Sequence, residues 1–192
     1  MRNILVLVVL VVFFGGFGFS VSRMETLRAN GADALIPLAP VDPRAILMGD
    51  YMELEFAVNE DIMRALREKY AKALLPQSGV AFLAETSLKD RRGKDVPNPQ
   101  NTVPAFAFSR LDDGSPVAPG EMPLAFKVRG RRVLTASSAF YFQEGDASAY
   151  EQARFGRMKL DGKGKTLLIT LCDGDGRDIV PPRNPAAHIA PE

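Results

Sequence analysis

The chain has 192 residues, 46% of them hydrophobic, which is enough for one domain of ordinary size with appendages and argues against a second. Lysine and arginine number 24 against 23 acidic residues, so the net charge of +1 gives no general attraction to nucleic acid. We therefore expect no nucleic-acid partner.

Cysteine and histidine are each present only once. Cys172 alone excludes an intrachain disulfide and any multi-cysteine metal site. His188 lies in a proline-rich tail, where nothing would hold it beside a nucleophile as a catalytic base. The acidic run Asp173–Asp178 departs from the spacing of a calcium-binding loop and predicts a turn. We expect no metal site and no cofactor.

The N-terminus carries a long apolar run. Residues Ile4 to Val21 are uncharged, and as a helix they are just long enough to cross a hydrocarbon core of about 30 Å. Arg23 and Arg28 follow the run and Arg2 precedes it, so charge favours a cytoplasmic N-terminus only weakly. Small residues at 20–22 leave a cleaved signal segment open as the alternative. Both readings export the rest of the chain. We expect a single-pass protein of the bacterial inner membrane, held through residues 4–21, with its folded domain in the periplasm or outside the cell.

The predicted organisation has four parts: an anchor or signal segment at 1–22, a linker at 23–35, a β-rich domain at 36–178 and a disordered proline-rich tail at 179–192. A short extended piece, Leu35–Leu38, contains Pro37 and is followed by Pro40, which confines it to a sheet edge.

A single helical turn followed by a strand is predicted at the start of the domain. Asp42 suits a helix N-cap, Pro43 the first helical position and Gly49 the end of a single turn. From Asp50 the period changes to two, which predicts a half-buried strand. Its inward residues would be Met52, Leu54, Phe56 and Val58, and its outward residues Tyr51, Glu53, Glu55 and Ala57.

An amphipathic helix should follow. Asn59 is the expected N-cap, Ile62, Leu66, Tyr70 and Leu74 recur every fourth residue, and Pro76 ends the helix. Its outward face is rich in arginine and lysine. That face is either solvated or in contact with lipid headgroups.

The remaining elements are mostly strands. We predict strands at 79–86, 103–111 and 139–145, a hairpin of 124–128 with 132–136, a helix at 147–155 closed by Gly156, and a hairpin of 157–160 with 165–172. The basic tip Arg129-Gly130-Arg131 is either an ordinary charged turn or a grip for phosphate. The fold class is mainly β with two helices (α+β), a small antiparallel sheet or barrel-like domain behind an N-terminal transmembrane helix.

The segment Gly49-Asp50-Tyr51-Met52-Glu53-Leu54-Glu55-Phe56 closely resembles the signature of the bacterial GDYXXLXY family, with Phe56 in place of the last tyrosine. The resemblance continues through Pro40–Arg44, Phe140–Gly145, Tyr150, Ala153–Gly156 and the final hairpin. It implies a membrane-anchored envelope protein without an assigned reaction and a polytopic integral membrane protein as partner. It implies no catalytic residue.

Six polar or amphipathic residues at strand ends are the candidate binding residues: Arg44, Asp50, Tyr51, Tyr141, Glu144 and Arg154. They could converge on one rim and bind a partner. The alternative is that Arg44 pairs with Asp50 and Arg154 with Glu144, to fix the geometry of the turns.

The sequence is compatible with two arrangements of catalytic groups. Glu53 and Glu55 would lie about 7 Å apart on one strand, a spacing compatible with glycoside hydrolysis, but exposed neighbours on a solvated face fit as well. A Ser/Lys protease would pair Ser20 or Ser22 with a desolvated lysine, and Lys127, the best placed, fits an outward strand position. We expect a non-enzymatic accessory or docking module. The alternative is an envelope hydrolase with a carboxylate or Ser/Lys mechanism.

Overall fold

The computed structural model describes residues 2–39, 51–71, 74–87 and 103–181. Within these ranges the elements are α1 (Arg2–Asn30), β1 (Ala32–Pro37), β2 (Tyr51–Glu53), α2 (Ala57–Lys69), β3 (Ser78–Thr86), β4 (Ala105–Leu111), β5 (Glu121–Arg129), β6 (Arg132–Leu134), β7 (Ala139–Tyr141), α3 (Ala147–Tyr150), β8 (Phe155–Leu160) and β9 (Thr166–Cys172). The predicted helical turn at 42–49, the predicted loop at 88–102 and almost all of the predicted tail lie outside the described residues.

The apolar helix α1 is longer than the predicted anchor. By length and composition it could cross a membrane, and none of its most apolar stretch is buried inside the protein. The helix continues into the predicted 23–35 linker and ends at Asn30. In this extension Leu27 is buried. Gly31 alone separates α1 from β1, and a Cβ there would lie only 2.5 Å from the Leu27 carbonyl oxygen. The connection is therefore short and tightly packed.

Seven strands form one curled, mostly antiparallel sheet in the order β6-β5-β3-β4-β1-β8-β9. Only β1 and β4 pair in parallel, at Leu35 and Ala105. The two ends of the sheet approach each other, since the Ala125 amide donates to the Gly164 carbonyl at 2.8 Å. The result is a half-barrel, which confirms the predicted α+β, mainly β class.

The prediction of an edge position for Leu35–Leu38 is wrong, because β1 lies between β4 and β8. Backbone N–H groups alternate sides along a strand, and the Leu38 amide donates to Arg154 on the β8 side. Pro37 therefore faces the β4 side, where pairing is confined to Leu35. Its missing donor breaks no ladder bond, so proline is tolerated inside the sheet.

Helix α2 lies against β1, β4 and β6 and differs from the prediction at both ends. It begins after Phe56, so Asn59 lies in the first turn and is not the N-cap. It ends at Lys69, and Leu74 is 95% exposed. The predicted apolar stripe holds only where it faces the sheet: Ile62 and Leu66 are fully buried.

The strand predictions are largely correct, while α3 is a single turn that stops at Tyr150. The predicted helix to Phe155 fails because β8 begins there, and Gly156 lies inside β8 and does not close a helix. A Cβ at Gly156 would come within 2.8 Å of the Phe56 ring. Glycine is needed at this point to leave room for the Phe56 ring.

Alternation in the motif strand is confirmed. Met52, Leu54 and Phe56 are buried in the main core, whereas Tyr51 and Glu53 are exposed. Val58 is also buried, but the predicted strand is wrong there, because Ala57 and Val58 begin α2. Only three residues form the strand itself, because β2 pairs with β7 alone, as a two-stranded ribbon apart from the large sheet. We call β2 and β7 together the ribbon.

Candidate functional site

Two exposed tyrosines lie side by side on the ribbon. The antiparallel register places Tyr51 directly opposite Tyr141, and their ring centroids are 5.6 Å apart. Tyr141 is 74% exposed and Tyr51 39%. Since successive side chains alternate across a strand, Met52 and Phe140 point to the core and the tyrosines point outward. We call Tyr51 and Tyr141 the tyrosine face.

Aromatic rings support the ribbon from behind. Tyr150 contacts Phe140 in an edge arrangement at 5.1 Å and stacks on Phe142 at 5.4 Å. Tyr150 is buried, and burial, assisted by the nearby Asp146 carboxylate, raises the pKa of its hydroxyl. The neutral phenol therefore persists at physiological pH, and the tyrosine face rests on a packed aromatic layer.

A second feature, which the sequence did not predict, is a polar network beneath the motif strand. Thr135 donates to the Asn59 side-chain oxygen at 2.8 Å, and the Asn59 amide donates to Glu55 at 3.3 Å. Arg132 pairs with Glu55 and also with Glu53, each at 3.0 Å. Thr135 and Asn59 are buried, and the series of hydrogen bonds ends at the exposed Arg132. The network therefore joins the ribbon, α2 and the β5–β6 hairpin.

The sequence matches the family described as GDYXXLXY protein over residues 13–171, from within α1 to β9. The chain belongs to the GDYXXLXY family. No curated protein and no solved structure matches it.

The GDYXXLXY motif divides between surface and core. Gly49 and Asp50 lie outside the described residues. Tyr51 is half of the tyrosine face, whereas Leu54 is 3% exposed and Phe56, at the position of the last motif tyrosine, is 1% exposed. Of the motif positions that the structure describes, Tyr51 is thus a surface aromatic residue, and Leu54 and Phe56 belong to the core.

The other candidate residues are placed as follows. Arg44 lies outside the described residues with Asp50, so their predicted pairing is outside the structure too. Glu144 is exposed in the turn after the ribbon. Arg154 donates to the Ala153 carbonyl at 2.6 Å, and none of the described ion pairs joins it to Glu144. Of the six candidates, the structure brings Tyr51 and Tyr141 together.

The carboxylates and the thiol considered for chemistry have structural partners. Glu53 and Glu55 are bridged by the single guanidinium of Arg132. Cys172 is buried, and burial together with the Asp178 carboxylate raises the pKa of its thiol above the ordinary range. Asp173 accepts bonds from the backbone amides of Asp175 and Arg177, as expected of a turn. In the described part of the chain no three potential ligands cluster around a metal position.

Arg132 and Asn59 are the residues that sequence reasoning missed. Their partners are 77 and 76 residues away along the chain, so no local pattern could identify the contacts. A signal was present in Asn59, a polar residue inside an otherwise apolar inward series. Local rules predict a helix cap at Asn59, because they cannot foresee its distant partner Thr135.

Proposed function

We propose that this protein is a non-enzymatic, membrane-anchored envelope module that docks through its tyrosine face onto an integral membrane protein. The observation that carries the proposal is the pair of exposed, neighbouring tyrosines on a ribbon that packs on other aromatic rings. Exposed tyrosines of this kind are typical interface anchors, because they bury a large area with little loss of side-chain entropy.

The anchor supports the proposal and limits where contact occurs. Residues 22–30 extend α1 by about 14 Å beyond the apolar run, at about 1.5 Å per residue. The β domain begins only after this extension. In this proposal docking involves the extramembrane part of the partner, and the domain lies on the periplasmic or outer side of the inner membrane, the side that the sequence leads us to expect.

Site-specific photo-crosslinking in intact membranes tests the docking. A photoreactive phenylalanine analogue replaces Tyr51 or Tyr141 in the full chain, and Lys127, an outward residue of β5, serves as the control position. We expect one dominant adduct from 51 and 141 and none of that mass from 127. The captured protein should resist alkaline extraction, as an integral membrane protein does. The same adducts from all three positions would contradict the proposal.

A point variant separates specific docking from proximity. With the photoreactive group at 51, Tyr141→Ser should strongly reduce the dominant adduct, because the neighbouring ring contributes half of the face. Lys127→Ser is the matched control and should leave the adduct unchanged. An adduct that persists in Tyr141→Ser at full yield would show that the tyrosine face is not the contact.

Thiol labelling tests the orientation. The native Cys172 is buried, so it contributes little background to a membrane-impermeant maleimide. A Lys127→Cys variant should be labelled in cells with a permeabilised outer membrane and an intact inner membrane. Labelling only after the inner membrane is lysed would place the domain in the cytoplasm and contradict export.

A further inference from the structure

A groove of about 730 Å³ lies where the end of β5 runs beside the residues that precede β3. Residues 74–77 form one wall and residues 127–130 the other. We call it the β3–β5 groove. Its volume is in the range of small-molecule sites, about 300–1,000 Å³. Among the described residues that line it none is acidic and none belongs to the tyrosine face.

Backbone contacts hold the two walls of the groove together. Ser78 lies opposite Lys127 in the antiparallel ladder of β3 and β5. One residue further, the Val128 amide donates to the Gln77 carbonyl oxygen at 2.8 Å. Residues 74–77 therefore continue alongside the end of β5. Because opposite residues of an antiparallel pair lie about 5 Å apart, side chains on the same face of the two walls are neighbours.

The outer face of the groove combines an apolar side with a cationic side. Leu75 and Val128 pack against the main core. Leu74, the residue before Leu75, is 95% exposed. Lys127 and Arg129, which flank Val128, are both exposed. Since side chains alternate across a strand, the two cations lie together on the outer face, about 7 Å apart along the backbone.

The positive charge of the groove has no described counter-charge. None of the salt bridges in the described part of the chain includes Lys127 or Arg129. The residue opposite Arg129 on β6 is Arg132, and its guanidinium already holds the carboxylates of Glu53 and Glu55. An anionic group at this face would therefore meet two cations and no competing acid among the described residues.

We propose that the β3–β5 groove binds a single-chain amphiphile with an anionic head, of the fatty-acid class. The head pairs with Lys127 and Arg129, because hydrogen bonds between ionised groups are the strong ones. The chain lies on Leu74 and Pro76, and each methylene removed from water adds to the affinity. The hairpin tip carries Arg131 as well as Arg129. A charged tip is costly to insert into a bilayer core, which favours a separate amphiphile as the occupant.

Calorimetric titration of the full chain in nanodiscs of zwitterionic lipid tests the ligand class. The probes are octanoate, acetate and octyltrimethylammonium at constant ionic strength, with titrations into empty nanodiscs subtracted. We expect saturable octanoate binding with a Kd of about 1 mM, binding of acetate weaker by about tenfold, and no saturable binding of the cation. Equal affinity for octanoate and either other probe would overturn the proposal.

Two substitutions test the place of the head. Lys127→Gln and Arg129→Gln should each weaken octanoate binding about three- to fivefold. Arg131→Gln is the matched control, because Arg131 lies at the same hairpin tip but lines the groove beside α2 with Arg67. It should leave the Kd unchanged. Equal weakening in all three variants would indicate diffuse attraction to the hairpin and contradict the assigned site.

A third substitution tests the place of the chain. Leu74→Ser should weaken octanoate binding about threefold and leave acetate binding unchanged, while Leu74→Met should retain the affinity. Both variants should fold, since Leu74 is exposed. Octanoate affinity that stays the same in Leu74→Ser would contradict the apolar contact.

Photo-crosslinking separates a free amphiphile from the bilayer itself. A diazirine analogue of leucine at position 74 is irradiated in nanodiscs of zwitterionic or anionic phospholipid with octanoate present. Mass spectrometry should find the octanoate adduct in both. A phospholipid adduct in its place would identify the bilayer surface as the occupant and overturn the proposal.

Discussion

The curled sheet and the ribbon follow the same alternation of side chains but put it to different use. In the sheet, alternation buries one face around α2, and within the described residues every buried side-chain polar atom has a hydrogen-bond partner. In the ribbon, only the inner face is covered, and two tyrosine rings remain in solvent. A side chain that does not pack in the core can contact a partner without loss of stability. Substitutions in the sheet should therefore lower stability, and substitutions on the ribbon should affect binding.

The largest effect is expected at Phe56, where the motif enters the core. Phe56→Ala removes a ring that is 1% exposed and packed on Gly156, and should lower the free energy of unfolding by about 3–5 kcal/mol. Denaturant titration in detergent micelles, followed by circular dichroism, measures the change. Phe56→Leu is the control and should lose about 1–2 kcal/mol. If Phe56→Ala lost less stability than is expected of Phe56→Leu, the ring would not be an anchor of the core.

Substitutions in the buried polar network should cause the next largest loss of stability. Thr135→Val keeps the shape but removes the donor to the buried Asn59 oxygen, and should cost about 1–3 kcal/mol. Thr135→Ser retains the hydroxyl and should recover most of this loss in the same titration. Equal losses in the two variants would show that the methyl group, and not the hydrogen bond, is responsible.

An ion-pair cluster at the start of β1 should make the sheet sensitive to acid. Burial alone would raise the pKa of Asp33, but hydrogen bonds from Lys159 and Arg157 outweigh it, so the pKa is lowered. Because the pKa of Asp33 is lower in the folded protein than in the unfolded chain, the ionised carboxylate stabilises the fold. This stabilisation is complete above the unfolded-state pKa of about 4, and it is lost as the pH falls through the folded-state pKa.

Asp33→Asn should therefore cost about 0.5–1 kcal/mol at pH 7, and the difference from wild type should shrink in acid. Unfolding curves at a series of pH values measure both quantities. Asp175→Asn, at an exposed ion pair on a turn, is the control and should show little change. A difference that stays constant with pH would assign the effect to packing.

The smallest effect on stability is expected on the ribbon. Tyr141→Ser changes a side chain that is 74% exposed, so unfolding should shift by less than about 0.5 kcal/mol while crosslinking from position 51 falls. This combination of lost contact and kept stability would set the ribbon apart from the sheet. A large loss of stability would place the tyrosines in the same structural category as Phe56.

Local patterns predicted most of the strands because alternation and glycine turns are encoded over a few residues. Met52, Leu54 and Phe56 were assigned to the core from period alone, and the structure buries all three. That pattern also points Tyr51 outward, but its position beside Tyr141 depends on pairing between strands that lie about 90 residues apart along the chain. What local patterns could not supply is strand order: β1 becomes central through partners that lie more than 65 residues away along the chain.

The same limit applies to α2 and its groove. The helix begins early because Val58 packs into the core and Asn59 meets Thr135, 76 residues further along the chain. Arg67 of α2 and Arg131 of the β5–β6 hairpin line one groove, although they lie 64 residues apart along the chain. Sequence reasoning could note the basic hairpin tip and the basic helix face, but it could not join them.

The close packing at Gly31 leaves a single residue between α1 and the sheet, so a tilt of α1 in a bilayer would be transmitted to the sheet. A transmembrane helix tilts when the bilayer becomes thinner than its apolar length. With only one residue between α1 and a central strand, such a tilt would swing the whole domain instead of being absorbed by a hinge. The thickness of the lipid bilayer would then determine how far, and in which direction, the tyrosines reach.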